Sequence, residues 1–132
     1  MSQAKHWCFT INNYTQDEID HLRGLYEASA EEKKIRYLVF QQEKGENETP
    51  HLQGYISYSK RYRLGPVKEM VGNRAHLEVS RGTPTQNRDY CTKEDTRVEN
   101  THYEEFGDFP GGSGTRSDLE EFKEAVRGGC LD

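Results

Sequence analysis

Two β-rich runs, Ile35 to Glu43 and His51 to Tyr58, stand only seven residues apart, joined by the turn-rich polar segment Lys44-Gly45-Glu46-Asn47-Glu48-Thr49-Pro50. A parallel crossover needs a dozen or more residues, so the two runs read as an antiparallel hairpin that can bring Glu43 beside His51. The rest of the chain has to be arranged around that hairpin.

Before it, His6 to Asn12 alternates, with Trp7, Phe9 and Ile11 on one side and Cys8, Thr10 and Asn12 on the other, the period of a half-buried strand. Thr15 then reads as an N-cap with Glu18 three residues on, and Ile19, Leu22, Leu25 and Tyr26 form an apolar stripe at helical spacing. After the hairpin the pattern predicts a short helix over Pro66 to Val71 and a strand over Ala75 to Arg81 with Leu77 and Val79 inward. Thr83-Pro84-Thr85 resembles a capped helix start with an early proline, opening a helix that carries Tyr90 and Lys93. Thr101 to Phe106 is expected to add a further strand.

The predicted fold class is α+β. The order strand, helix, strand, strand, helix, strand, helix matches a βαββαβ ferredoxin-like or RRM-like topology: an antiparallel sheet of about five strands, two crossover helices on one face and the other face open for a site. Trp7, Phe9, Leu38 and Phe40 are expected in the core. At 132 residues the chain fits one domain. Residues 1–110 are expected to form it and 111–132 to be a linker and the start of a C-terminal helix; Gly107 to Gly114 is the Gly/Pro-rich stretch, and the capped helix from Ser117 ends at Gly128-Gly129. Gly111-Gly112-Ser113-Gly114 lacks the Gly-Lys-Ser/Thr of a phosphate loop, so no ATPase is expected.

Eight tyrosines and five phenylalanines argue against disorder despite 31% charged residues. No apolar run approaches membrane-spanning length, and the first residues lack the apolar centre of a signal peptide, so a soluble intracellular protein is expected. Cys8, Cys91 and Cys130 are widely separated with no Cys-x-x-Cys pair, which predicts reduced thiols and no zinc ribbon. The formal charge is -5, yet from Ser57 to Lys93 there are eight Lys and Arg against Glu69, Glu78 and Asp89. A basic middle third in an acidic chain can steer a phosphate backbone to one face.

Chemistry concentrates in two places. Strand period puts His51 and Gln53 on one face, away from Leu52, and Glu43 can join them across the hairpin. One carboxylate, one imidazole and one amide oxygen suit Mg²⁺ or Mn²⁺ with open water positions, whereas structural zinc wants more Cys or His. Tyr90 and Lys93, three apart on a helix, share a face and put an ammonium next to a phenol. Opposite a divalent ion that polarises a phosphate, Tyr90 can attack phosphorus while Lys93 stabilises the developing charge.

Three signatures now stand in order: Phe9-Thr10-Ile11-Asn12-Asn13, Thr49-Pro50-His51-Leu52-Gln53-Gly54 and Tyr90-Cys91-Thr92-Lys93-Glu94. Together they resemble those of HUH-type rolling-circle replication initiator proteins, in particular the endonuclease domain of circovirus-like circular single-stranded DNA viruses. Gln53 stands where the general family has a second His, and Arg116-Ser117-Asp118-Leu119 resembles the segment after that domain. The resemblance covers nearly the whole chain. It implies an enzyme that nicks single-stranded DNA in an origin stem-loop, keeps a 5′-phosphotyrosine link through Tyr90, frees a 3′-OH for priming, and later rejoins the strand. It implies Mn²⁺ or Mg²⁺ on Glu43, His51 and Gln53, and action in a host nucleus. It further implies a longer parent protein with a helicase domain, of which this chain is an excised domain or a truncated product, and leaves room for a homo-oligomer of the full-length protein.

The candidate DNA contacts are Thr10, Asn12, Lys60, Arg61, Tyr62, Arg63, Arg74, His76 and Arg81, whose charge and ring faces suit an unpaired strand. Two other classes compete. A non-catalytic RRM-like module would bind single strands on the same kind of sheet, but the Gly-Phe-Gly-Phe-like run expected of it is absent and Glu43, His51 and Tyr90 would have no role. A nuclease that hydrolyses through water would need no tyrosine, and would keep its activity in Tyr90→Phe.

Overall fold

The structure is a computed structural model and describes residues 3–44 and 49–110. Of the expected Gly107-to-Gly114 linker, Gly107 instead closes a strand and only Gly107 to Pro110 is described; the rest of it, the helix from Ser117, Arg116-Ser117-Asp118-Leu119 and Cys130 lie outside the described residues. Strand β1 (Ala4–Asn12) leads to helix α1 (Gln16–Ala28), then to strands β2 (Ile35–Glu43) and β3 (His51–Tyr62). Helix α2 (Leu64–Val71), strand β4 (His76–Val79), helix α3 (Pro84–Cys91) and strand β5 (Glu104–Gly107) complete the order. The five strands make one sheet in the order β4-β1-β3-β2-β5, antiparallel throughout, as the α+β reading requires.

Local chemistry sets the helix starts. The Thr15 hydroxyl accepts from the Glu18 amide at 3.2 Å while the Glu18 carboxylate accepts from the Thr15 amide at 3.0 Å, a closed capping box. Thr83 and Gln86 repeat the arrangement at the start of α3, with Pro84 in the first turn. The apolar face of the sheet, with Trp7, Phe9, Ile11, Leu38, Phe40, Leu52 and Ile56, is buried under Ile19 and Leu22 of α1 and Val67 and Val71 of α2. Gly54 lies opposite Phe9 on one neighbour and Phe40 on the other, and a Cβ there would run into the Phe9 ring.

Several expectations need correction. Strand β3 continues to Tyr62, which pairs with Ala4 of β1, and Tyr58 and Tyr62 pack edge to face with centroids 4.9 Å apart. Val79 is not inward but 42% exposed, on an edge strand of four residues. Helix α3 stops at Cys91 with Thr92 as its C-cap, so Lys93 lies beyond the helix. The second sheet face is not bare, since α3 packs there and Cys91 joins Cys8, Tyr37, Val39 and Tyr55 in a small cluster. Cys91 is a buried free thiol, as expected, but Cys8 is disulfide-bonded, a pairing that spacing along the chain does not reveal.

Candidate active site

The second face of the sheet is polar at one end, and strand register explains why. Asn12, His51 and Glu43 stand in one row across β1, β3 and β2; His76, Thr10, Gln53 and Gln41 stand in the next. Side chains two apart on each strand therefore point into a common strip.

Glu43 is 2% exposed, and the strip supplies its partners. His51 Nε2 is 3.2 Å from Glu43 Oε1, Gln41 Nε2 donates to Oε2 at 2.8 Å, and Lys93 Nζ is 3.6 Å from Oε1. Burial alone pushes this carboxyl up, but the His51 and Gln41 hydrogen bonds with the charges of Lys93 and His51 outweigh it, leaving it below the ordinary value. His51 Nδ1 is 3.1 Å from the Thr49 carbonyl, so both ring nitrogens face acceptors. A neutral imidazole has one N–H and can donate to only one of these acceptors, whereas the doubly protonated ring donates to both and brings a positive charge beside Glu43.

Gln53, on the same face two residues from His51, is 5% exposed. Its amide oxygen accepts from the Thr10 hydroxyl at 3.5 Å and its amide nitrogen donates to the Phe9 carbonyl at the same distance. Among the described residues no three His, Cys, Asp or Glu side chains converge as a metal cluster. A cation here would take the Gln53 amide oxygen beside Glu43 and His51, and this oxygen-rich set with one imidazole fits a hard divalent ion.

Tyr90 sits in the last turn of α3, half-buried. The chain turns at Thr92 and sends Lys93 back, so its ammonium lies 3.7 Å from the centre of the Tyr90 ring while reaching Glu43. The predicted Tyr90–Lys93 neighbourhood is thus present, made by a C-cap turn and not by helix spacing. Sequence patterns do not single out Arg97 or Gln41 as site residues. Gln41 carries a signal, its period-two relation to Glu43; Arg97 lies in an aperiodic segment that offers none.

The candidate DNA contacts separate into groups. Thr10, Asn12 and His76 border the strip, with Thr10 bonded to Gln53 and His76 2.9 Å from Glu78. Arg74 is engaged elsewhere, donating to both Glu18 carboxylate oxygens at 2.9 Å and to the Asn12 and Asn13 carbonyls at 3.0 Å. Lys60, Arg61 and Tyr62 lie at the far end of β3, roughly 30 Å from His51 at about 3.3 Å per strand residue, and Arg63 follows as the N-cap of α2. Tyr62 packs on Tyr58 with the Lys60 ammonium over its ring. Arg81 is exposed just past β4.

Residues 4–94 match the family model described as "Putative viral replication protein". The chain is similar to the replication-associated protein of Canary circovirus, 41% identical over 91 residues, which is 69% of this chain and 29% of the relative. It is 36% identical over 126 residues to that of Pigeon circovirus, 96% of this chain and 36% of the relative. It is 42% identical over 103 residues to the master replication protein of Subterranean clover stunt virus (strain F), 78% of this chain and 31% of the relative. The chain thus spans about a third of the length of the curated relatives it matches. No helix among the described residues is long and apolar enough to cross a membrane.

Proposed function

The chain belongs to the viral replication protein family, and from that membership we propose that it is the nicking and strand-joining domain of a rolling-circle replication initiator acting on single-stranded DNA. One observation carries the reading. The Lys93 ammonium lies 3.6 Å from Glu43 and 3.7 Å from the Tyr90 ring centre, so one cation links the acidic strip to the tyrosine.

On this reading Glu43, His51 and Gln53 hold Mn²⁺ or Mg²⁺. The ion, when bound, supplies Lewis-acid polarisation of the scissile phosphate oxygens. The Tyr90 hydroxyl gives up its proton and its oxygen attacks phosphorus. The bond from phosphorus to the 3′ oxygen breaks, and that oxygen leaves as a 3′-OH after taking a proton. Tyr90 then carries the 5′ phosphate. One phosphodiester is exchanged for another, so no ATP is consumed and a DNA 3′-OH can reverse the step to rejoin the strand. The positive charge of Lys93 over the phenol ring favours the phenolate and the charge that develops on the phosphate. The Thr49 carbonyl, by taking the His51 Nδ1 proton, aims Nε2 at the cation position.

The substrate proposed is an unpaired strand of an origin stem-loop, the parent protein is proposed to carry a helicase domain and to self-associate, and its place of action is the host nucleus. The test is incubation of the protein with Mn²⁺ and oligonucleotides bearing stem-loop sequences, followed by denaturing gels. A protein–DNA adduct lost in Tyr90→Phe supports the reading. Cleavage that survives in Tyr90→Phe would point to hydrolysis by water, and binding without cleavage in any metal to a recognition module.

A further inference from the structure

Gln41 is 1% exposed, and every polar atom of its amide is engaged. Its nitrogen donates to Glu43 Oε2 at 2.8 Å and to the Lys93 carbonyl at 2.9 Å, while its oxygen accepts from Arg97 Nε at 2.8 Å. Arg97 Nη2 in turn donates to the Thr92 carbonyl at 2.6 Å. Glu43 and the carbonyl only accept and Arg97 only donates, so a single orientation of the amide satisfies all three. The backbone runs with it: the Lys44 amide donates to the Thr96 carbonyl at 2.8 Å and the Val98 amide to the Gln42 carbonyl at 3.0 Å.

We propose that Gln41 is a positioning residue which, oriented by Arg97, ties the Glu43 carboxylate to the Thr92–Lys93 turn behind Tyr90, so that the metal ligands and the nucleophile are held as one unit. The geometry has a direct consequence for Glu43. With Oε2 taken by Gln41, Oε1 is the oxygen left facing His51 and Lys93. Without Gln41, the carboxylate is free to rotate, the Lys93 carbonyl loses its side-chain donor, and Arg97 keeps the Thr92 carbonyl but loses its link to β2. The apolar packing of α3 and the backbone bonds remain, but the side-chain tie that sets the Glu43 carboxylate against the Thr92–Lys93 turn is lost. This inference rests on the reading of Glu43 as a metal ligand and Tyr90 as nucleophile.

The test compares wild type, Gln41→Ala, Arg97→Ala and the double variant. Three quantities are read: Mn²⁺ affinity by calorimetry without DNA, the rate of adduct formation at saturating Mn²⁺, and affinity for single-stranded DNA by anisotropy. Each single variant should weaken Mn²⁺ binding about tenfold or more and slow adduct formation even when metal is saturating, with DNA affinity within about twofold of wild type. Because the two residues act through one contact chain, the double variant should be no worse than Gln41→Ala. A role in fold stability alone would lower the melting temperature and leave Mn²⁺ affinity at 25 °C unchanged, which overturns the proposal, as do effects that multiply in the double variant. Should Gln41→Ala not fold, Arg97→Ala decides by the same two readouts, since Arg97 is only partly buried. A wild type that binds Mn²⁺ but forms no adduct would refute Tyr90 as nucleophile and leave the calorimetry to judge Gln41; a wild type that binds no Mn²⁺ overturns both.

Discussion

Replacing Tyr90 by Phe removes one oxygen atom and, on this account, the whole reaction. Adduct formation should fall by about three orders of magnitude or more while anisotropy shows unchanged DNA binding, because the ring and its contact with Lys93 remain. Lys93→Ala should slow single-turnover nicking by roughly a hundredfold, with a smaller change in DNA affinity; an unchanged rate would remove Lys93 from the mechanism. His51→Ala should raise the Mn²⁺ concentration for half-maximal nicking by about tenfold or more without unfolding the domain, which circular dichroism would check. Acid dependence follows from the carboxylates. Glu43 lies below its ordinary value because its hydrogen bonds and neighbouring charges outweigh burial, and Glu105 does so because Arg88 and Tyr37 hold it against burial. Both are therefore better stabilised ionised in the folded chain. That contribution is fully present above the ordinary carboxylate value and is lost as pH falls through the lowered folded values. Melting temperature without metal should thus drop on acidification below the ordinary carboxylate range, and Glu105→Gln should shallow that drop.

Among the elements, α3 makes the site and is also the one the sequence describes least well. Its start is legible, because a Thr-Pro start with Gln three residues after the threonine is local chemistry; its end is not, because the Thr92–Lys93 turn is held by Arg97 on the Thr92 carbonyl and by distant Gln41 on the Lys93 carbonyl. Thr83→Ala opens the capping box and should cost about 1 kcal/mol in denaturant unfolding, with a matching loss of nicking as Tyr90 loses its support. The hairpin is legible because seven residues allow no other connection, and its register places Glu43 opposite His51. Gly54→Ala forces a methyl group against the Phe9 ring at the centre of that sheet. It should cost about 1–3 kcal/mol, a value that reports how far the Phe9 ring can give way.

At the scale of the whole molecule, the sheet divides the work: one face is an apolar core under α1 and α2, and the other carries the polar strip and α3. Alternation of side chains along β1, β2 and β3 makes that division readable from residue order alone. The DNA surface is not readable in the same way, since a run of basic residues says nothing about which end of a strand it occupies. Lys60 and Arg61 stand roughly 30 Å from His51 along β3, and Arg74 is bonded to Glu18 and the end of β1. The central claim is that the two halves of the site meet in one covalent step at Tyr90. Peptide mapping by mass spectrometry of the protein after reaction with Mn²⁺ and a stem-loop oligonucleotide tests it most directly, paired with polymerase extension of the released end. The expected result is a nucleotide 5′-phosphate on the peptide containing Tyr90 and an extendable 3′-OH on the freed strand. Cleaved DNA with no modified tyrosine, or a modification on another residue, would contradict it.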